Sequence, residues 1–222
     1  MTIQNLINGT TPPLRPTDSV EHALGLFMEL RVRHLPVVDD QGTLVGLISE
    51  DYLLDHADGP DARIASLLGQ APVSVLPHQH VFDVTKVMVQ HDLTTVPVAT
   101  ADGQYDGLVK RHDIFVQFAR MLSTQERGAI LALEVAPRDY SLSQLVYDIE
   151  QSGVKILSIA SETPDHPDDA TRVTVKLNVQ DTTRIRHVLE HHGYRVVASF
   201  SEEDDDEAVR LRVQEFMRYL EV

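Results

Sequence analysis

Apolar and polar positions alternate along the chain at two periods. Val20, Ala23, Leu24, Phe27 and Met28 recur at helical spacing behind the capping oxygens of Thr17, Asp18 and Ser19, which predicts a helix over 20–30. Residues 35–38 form a short apolar run with a proline near its start, and Asp39-Asp40-Gln41-Gly42 is a turn. A second strand is predicted over 44–48, and a further helix opens at 49–54. The same layout returns downstream as a helix over 81–91, a strand over 96–99, a turn at 101–103, a strand over 107–109 and a helix from about His112. Residues 53–63, with Asp58-Gly59-Pro60-Asp61, read as a linker.

The two layouts are one repeat. A shift of 61 residues lays 3–52 on 64–113 without gaps, matching Ile3 with Ile64, Leu6 with Leu67, Pro16 with Pro77, Pro36-Val37 with Pro97-Val98, Gly42 with Gly103 and Gly46-Leu47 with Gly107-Leu108. Identities concentrate on prolines, glycines and apolar positions, where backbone geometry restricts the choice of residue. Two copies are too few for a solenoid, so a paired, pseudo-symmetric module is expected.

The remaining residues follow another pattern. After a polar connection at 123–128, a strand is predicted over 129–136. Next come a helix over 141–152 stopped by Gly153, a strand over 154–160 and an acidic turn at 164–170. Val173, Val175, Leu177 and Val179 alternate strictly, as in a half-buried strand. A helix over 182–192 and a strand over 194–200 complete a βαββαβ order, which is ferredoxin-like. Beyond it lie the acidic run 201–207 and a stretch, 208–222, with Val209, Val213, Phe216, Met217 and Leu220 at helical spacing. That stretch reads as a packing helix with a solvated acidic cap, or as a helix that dimerises or docks on a partner.

The runs Arg33-His34-Leu35-Pro36-Val37-Val38 with Gly46-Leu47-Ile48-Ser49, and Val96-Pro97-Val98 with Gly107-Leu108-Val109 and Asp113, resemble tandem CBS domains, together a Bateman module. Gly153-Val154-Lys155-Ile156-Leu157-Ser158-Ile159 after a helix resembles an ACT domain, and the whole order is similar to CBS–ACT accessory proteins of the acetoin-utilisation type. The fold class expected is therefore α/β (α+β). It comprises CBS repeats at 1–60 and 61–122, an ACT-like ferredoxin-like domain at 128–200, and an acidic segment with a C-terminal helix at 201–222.

The resemblance implies an adenosine-containing ligand between the repeats, held by a motif of Gly, two apolar residues, Ser or Thr, two residues and Asp. Both copies depart from it. Repeat 1 has Ser49 but Tyr52 in place of the Asp, and Asp51, one residue early, points about 100° away on a helix. Repeat 2 has Asp113 but Lys110 in the hydroxyl position. Residues 35–62 hold seven acids and no Lys or Arg, whereas Lys110-Arg111-His112 offers phosphate donors. The second repeat is thus the expected nucleotide site, with Asp113 on ribose, Thr95, Val96 and Pro97 walling the base, and Lys110 and Arg111 on phosphate. Arg33, His34, Pro36 and Ser49 form a weaker first site. Ordinary surface cations at a helix start account for Lys110 and Arg111 equally well. In the ACT-like unit the ligand turn is Pro137-Arg138-Asp139-Tyr140-Ser141, without the usual glycine, which favours dimerisation over amino-acid binding.

Composition narrows the classes. The 222 residues fit one large or two modest domains, and the net charge of −15 argues against nucleic-acid and anionic-membrane partners. The absence of cysteine removes disulfide frameworks and thiolate chemistry, and the first 20 residues lack a leader-like pattern, so a cytoplasmic protein is expected. His187 and His191, spaced i, i+4, and the pair His78 and His80 have metal-compatible spacing but no third ligand, so no metal is expected. No phosphate loop, nucleophile elbow or dinucleotide fingerprint is present, so no enzyme is expected either. The resulting expectation is a homodimeric regulatory protein that senses AMP, ADP, ATP or S-adenosylmethionine and acts on a protein that the sequence does not name. The alternative is an interaction scaffold with degenerate, non-binding CBS sites.

Overall fold

The computed structural model describes residues 1–69, 71–137, 141–164, 166 and 168–201. The chain divides into two compact units, Met1–Gln117 and Phe118–Val222.

The first unit realises the repeat element by element. Helix α1 (Val20–Leu30) is capped by Ser19, whose Oγ accepts from the His22 N–H at 3.1 Å. Strands β1 (His34–Val38) and β2 (Leu44–Ser49) form an antiparallel hairpin, followed by α2 (Glu50–His56). The second copy gives α3 (Val81–Gln90), the hairpin β3 (Thr95–Ala99) with β4 (Tyr105–Lys110), and α4 (Arg111–Met121). The two hairpins share their register and their defect. Pro36 faces Leu47 and Pro97 faces Leu108, and each ladder slips at the equivalent place, Val37/Val38 and Val98/Ala99. The helix expected over 49–54 runs on through residues 55–56, expected only in the linker, and Leu53 anchors it, fully buried in the core with Phe27, Leu35 and Ile64.

Packing crosses between the copies. The N-terminal residues pair with the second repeat: Asn8 N–H donates to Leu108 O at 2.8 Å, Leu108 N–H returns to Asn8 O at 3.1 Å, and Val81 N–H donates to Met1 O at 3.1 Å. The equivalent residues before repeat 2 pair with repeat 1, as Val20 N–H donates to Ala62 O and Ile64 N–H to Asp18 O, both at 3.0 Å. Each copy thus covers the other's predecessor segment. Leu44 N–H to Gly103 O and Tyr105 N–H to Gly42 O, both at 2.9 Å, tie the hairpin turns together.

The second unit is a βαββαβ sandwich. Its elements are β5 (Ala129–Val135), α5 (Leu142–Gln151), β6 (Ile156–Ser161), β7 (Thr171–Leu177), α6 (Thr183–His191) and β8 (Arg195–Phe200). The sheet is antiparallel, ordered β6-β7-β5-β8. Leu131, Leu133, Val173, Val175 and Leu177 point from one face onto Leu145, Ile149, Ile185 and Leu189 of the helices. Strand β6 starts at Ile156 rather than 154, because Lys155 N–H is taken by the Asn178 side chain at 2.8 Å. The expected C-terminal helix and the Arg138–Tyr140 part of the ligand turn lie outside the described residues.

Candidate functional site

A cleft of about 420 Å³ opens on the first repeat. Its floor is the motif Gly46-Leu47-Ile48-Ser49 and its wall is the crossing segment, Leu67–Gly69 and Ala71–Val73, with His34, Tyr52, His91 and Leu93 around the rim. The floor is a glycine because a Cβ at Gly46 would collide with the Leu68 side chain that crosses it. Ser49 ends β2 and caps α2, its Oγ accepting from Tyr52 N–H at 3.1 Å. Tyr52 stacks on His56 with ring centroids 4.3 Å apart.

His34 sits between this cleft and the junction of the two copies. Its Nδ1 lies 3.1 Å from Thr94 Oγ1, and its carbonyl accepts from Thr95 Oγ1 at 2.6 Å. Burial lowers its pKa below the ordinary value, the main cause being lost hydration of the imidazolium. The neighbouring Arg33 is exposed and bound to Asp51 at 2.6 Å. That hydrogen-bonded ion pair holds the guanidinium more firmly protonated.

Of the expected residues, the cleft brings together His34 and Ser49. Pro36 is buried in the hairpin, where its carbonyl accepts from Leu14 N–H at 2.8 Å. In the second repeat Thr95, Val96 and Pro97 are buried core. Arg111 donates through Nε to Leu93 O and through a terminal nitrogen to Asp92, both at 2.9 Å. Lys110, the last residue of β4, and Asp113, in the first turn of α4, are half-buried. Thr10 and Thr11, each donating backbone and hydroxyl hydrogen bonds to Asn8 Oδ1 at 3.0–3.2 Å, fold the N-terminal segment beside β4. Tyr52, His91, Leu93, Leu67–Gly69 and Ala71–Val73 were not expected at a site. The signal in the sequence was Gly46 repeated as Gly107, which marks where another part of the chain passes close to each hairpin.

In the second unit, Asp148 is buried on α5 at 2.9 Å from His192 Nδ1, with Gln144 Nε2 donating to its other oxygen at 2.8 Å. His187 lies 3.9 Å from Glu190. Among the described residues no group of three or more His, Asp or Glu is placed to hold a metal ion. No helix among them is long and apolar enough to cross a membrane.

Residues 9–59 and 64–119 match the CBS domain family. The chain is 26% identical over 132 residues to the CBS domain-containing protein CBSX2 of Arabidopsis thaliana, covering 46% of this chain and 56% of that protein. It is 24% identical over 129 residues to an inosine-5'-monophosphate dehydrogenase of Korarchaeum cryptofilum, covering 58% of this chain and 27% of the dehydrogenase. It therefore spans about half the length of the first relative and about a quarter of the second. A crystal structure of a CBS domain pair/ACT domain protein from Thermotoga maritima superposes with a TM-score of 0.50 at 17% identity, over 55% of this chain and 99% of that one. At that identity the likeness bears on fold alone. The repeat, the matched hairpins and the crossed packing of the first unit lead to one assignment: this chain carries a tandem pair of CBS domains.

Proposed function

We propose that the chain is a non-enzymatic regulatory protein whose CBS pair senses an adenosine-containing small molecule, AMP, ADP, ATP or S-adenosylmethionine being the candidates. The second unit, read as an ACT-like domain, relays or dimerises. One observation carries the reading. The cleft is walled by the opening segment of the second repeat while its floor belongs to the first. An occupant touches both copies at once, so its differential contacts with two arrangements of the pair shift their balance. His34 and Ser49 are the polar groups proposed to hold the ligand there. Asp113 and Lys110, with Thr95, Val96, Pro97 and Arg111 around them, are proposed as a second place for a phosphorylated ligand.

The competing reading is an interaction scaffold. It is favoured by the protein contacts that already occupy Thr95, Arg111 and Arg33. Titration calorimetry with the four ligands on the full chain separates the two, using Ala71→Trp to fill the first cleft and Asp113→Ala to remove the second-repeat carboxylate. Loss of binding in Ala71→Trp alone assigns the first cleft, and loss in Asp113→Ala alone assigns the second repeat. Absence of binding by the parent chain leaves the scaffold. The regulated protein is proposed to be a partner of the CBS pair or of the ACT-like unit, in a cytoplasmic homodimer.

A further inference from the structure

The first-repeat cleft has a mostly apolar lining. Among its described residues there is no Asp, Glu, Lys or Arg; its polar groups are the Ser49 and Tyr52 hydroxyls and the His34 and His91 rings. The rest is Leu, Ile, Val, Ala, Pro and Gly. The nearest basic side chain in sequence, Arg33, lies outside the lining and is engaged by Asp51. Glu50 and Asp51, next along from Ser49, form the first turn of α2 and are both acidic. Burial disfavours the cationic form of His34.

A phosphate brought into such a cleft would shed water without gaining a lysine or arginine, and with Asp51 already paired to Arg33 the remaining nearby acid, Glu50, adds a further negative charge. A neutral, planar molecule meets the opposite balance. It exchanges water for apolar walls and the Tyr52 ring, and it retains hydroxyl and imidazole hydrogen-bond partners. We infer that the first-repeat cleft selects an uncharged nucleoside-like ligand and rejects the phosphorylated forms of the same molecule, with Ala71–Val73 and Tyr52 setting that selectivity. This rests on the reading of the cleft as an adenosyl site and narrows it to a charge class. It also separates the two repeats chemically, because Lys110 stands in the second where Ser49 stands in the first.

The test is calorimetry on the full chain with adenosine, AMP and ATP, counting the binding component that Ala71→Trp abolishes. Adenosine is expected to bind about tenfold or more tightly than AMP, with ATP weaker again, and AMP to gain little as salt is lowered. Ala71 is exposed at the lip, so Ala71→Lys adds a cation without disturbing the core. It should close most of the gap between adenosine and AMP, and Ala71→Gln, of similar length and neutral, should not. AMP or ATP binding the parent cleft as tightly as adenosine overturns this inference while leaving the adenosyl reading intact. No component sensitive to Ala71→Trp with any of the three overturns both.

Discussion

Gly46 and Gly107 occupy the same position in the two repeats, yet replacing each with alanine should have very different consequences. Gly107 has φ +143°, a conformation L residues rarely adopt, and a Cβ there would lie 2.7 Å from Ile7 Cγ2 and 2.9 Å from the Asn8 carbonyl oxygen. The second contact is with backbone and cannot be relieved by a rotamer change. Strain of about 1–3 kcal/mol is expected from the backbone alone. Pushing residues 7 and 8 away loses the two hydrogen bonds that join Asn8 and Leu108, each about 1 kcal/mol. The total is about 3–5 kcal/mol, or a fall of roughly 10–20 °C in the melting temperature of a unit this size. Gly46 lacks a positive φ, and its added Cβ meets the far end of Leu68, which can turn aside into the cleft. Its cost should be about 1 kcal/mol, partly offset by the reduced freedom of the unfolded chain. Urea and thermal unfolding of Gly46→Ala and Gly107→Ala, followed by circular dichroism, measure the difference. If Gly107→Ala is within about 1 kcal/mol of Gly46→Ala, residues 1–8 do not pack on the second hairpin as described and the crossed arrangement is wrong.

Three further perturbations probe other parts of the molecule. Burial holds the His34 pKa below its ordinary 6.5, against the weaker pull of Asp92 and Asp51 and alongside Arg33 and Arg111. The unfolded chain therefore binds the proton more readily, so this stabilisation is present above about pH 6.5 and is lost as pH falls toward the folded-state pKa. Melting temperature should accordingly drop more for the parent than for His34→Gln between about pH 7.5 and about pH 5.5, and parallel curves would remove His34 as the cause. The Tyr105 hydroxyl is buried without a partner among the described residues, and burial pushes its pKa well up. Tyr105→Phe should match the parent or gain up to about 1 kcal/mol in urea unfolding, and a loss of that size would reveal a hydrogen bond through water. Asp148→Ala strips the partner from His192 and Gln144 at the buried end of α5, so it should cost about 1–3 kcal/mol in the unfolding of the second unit, whereas Gln144→Ala should cost less.

The repeat made most of the first unit legible. Helix 20–30 and both hairpins follow from apolar spacing and from prolines and glycines whose conformational limits act locally. Residue pattern alone cannot say which repeat residues 1–8 and 62–68 cover, because an apolar segment looks the same whichever hairpin it crosses. That non-local choice is what builds the cleft wall, which is why Ser49 and His34 were legible from the hairpin but Leu93, His91, Leu67–Gly69 and Ala71–Val73 were not. In the second unit the element order was legible from periodicity, while Asp148 was hidden on the apolar face of α5, where no motif marks it. The two copies show how similarity and difference divide the work. Positions that agree after the 61-residue shift, such as Pro36 with Pro97 and Gly42 with Gly103, sit where hairpin geometry allows few residues. Positions that disagree, Ser49 with Lys110 and Tyr52 with Asp113, lie at matched points where a hairpin runs into a helix, the places where a ligand is proposed to bind. Matched positions whose side chains change from neutral to charged are the arrangement expected if the two repeats answer to chemically different occupants.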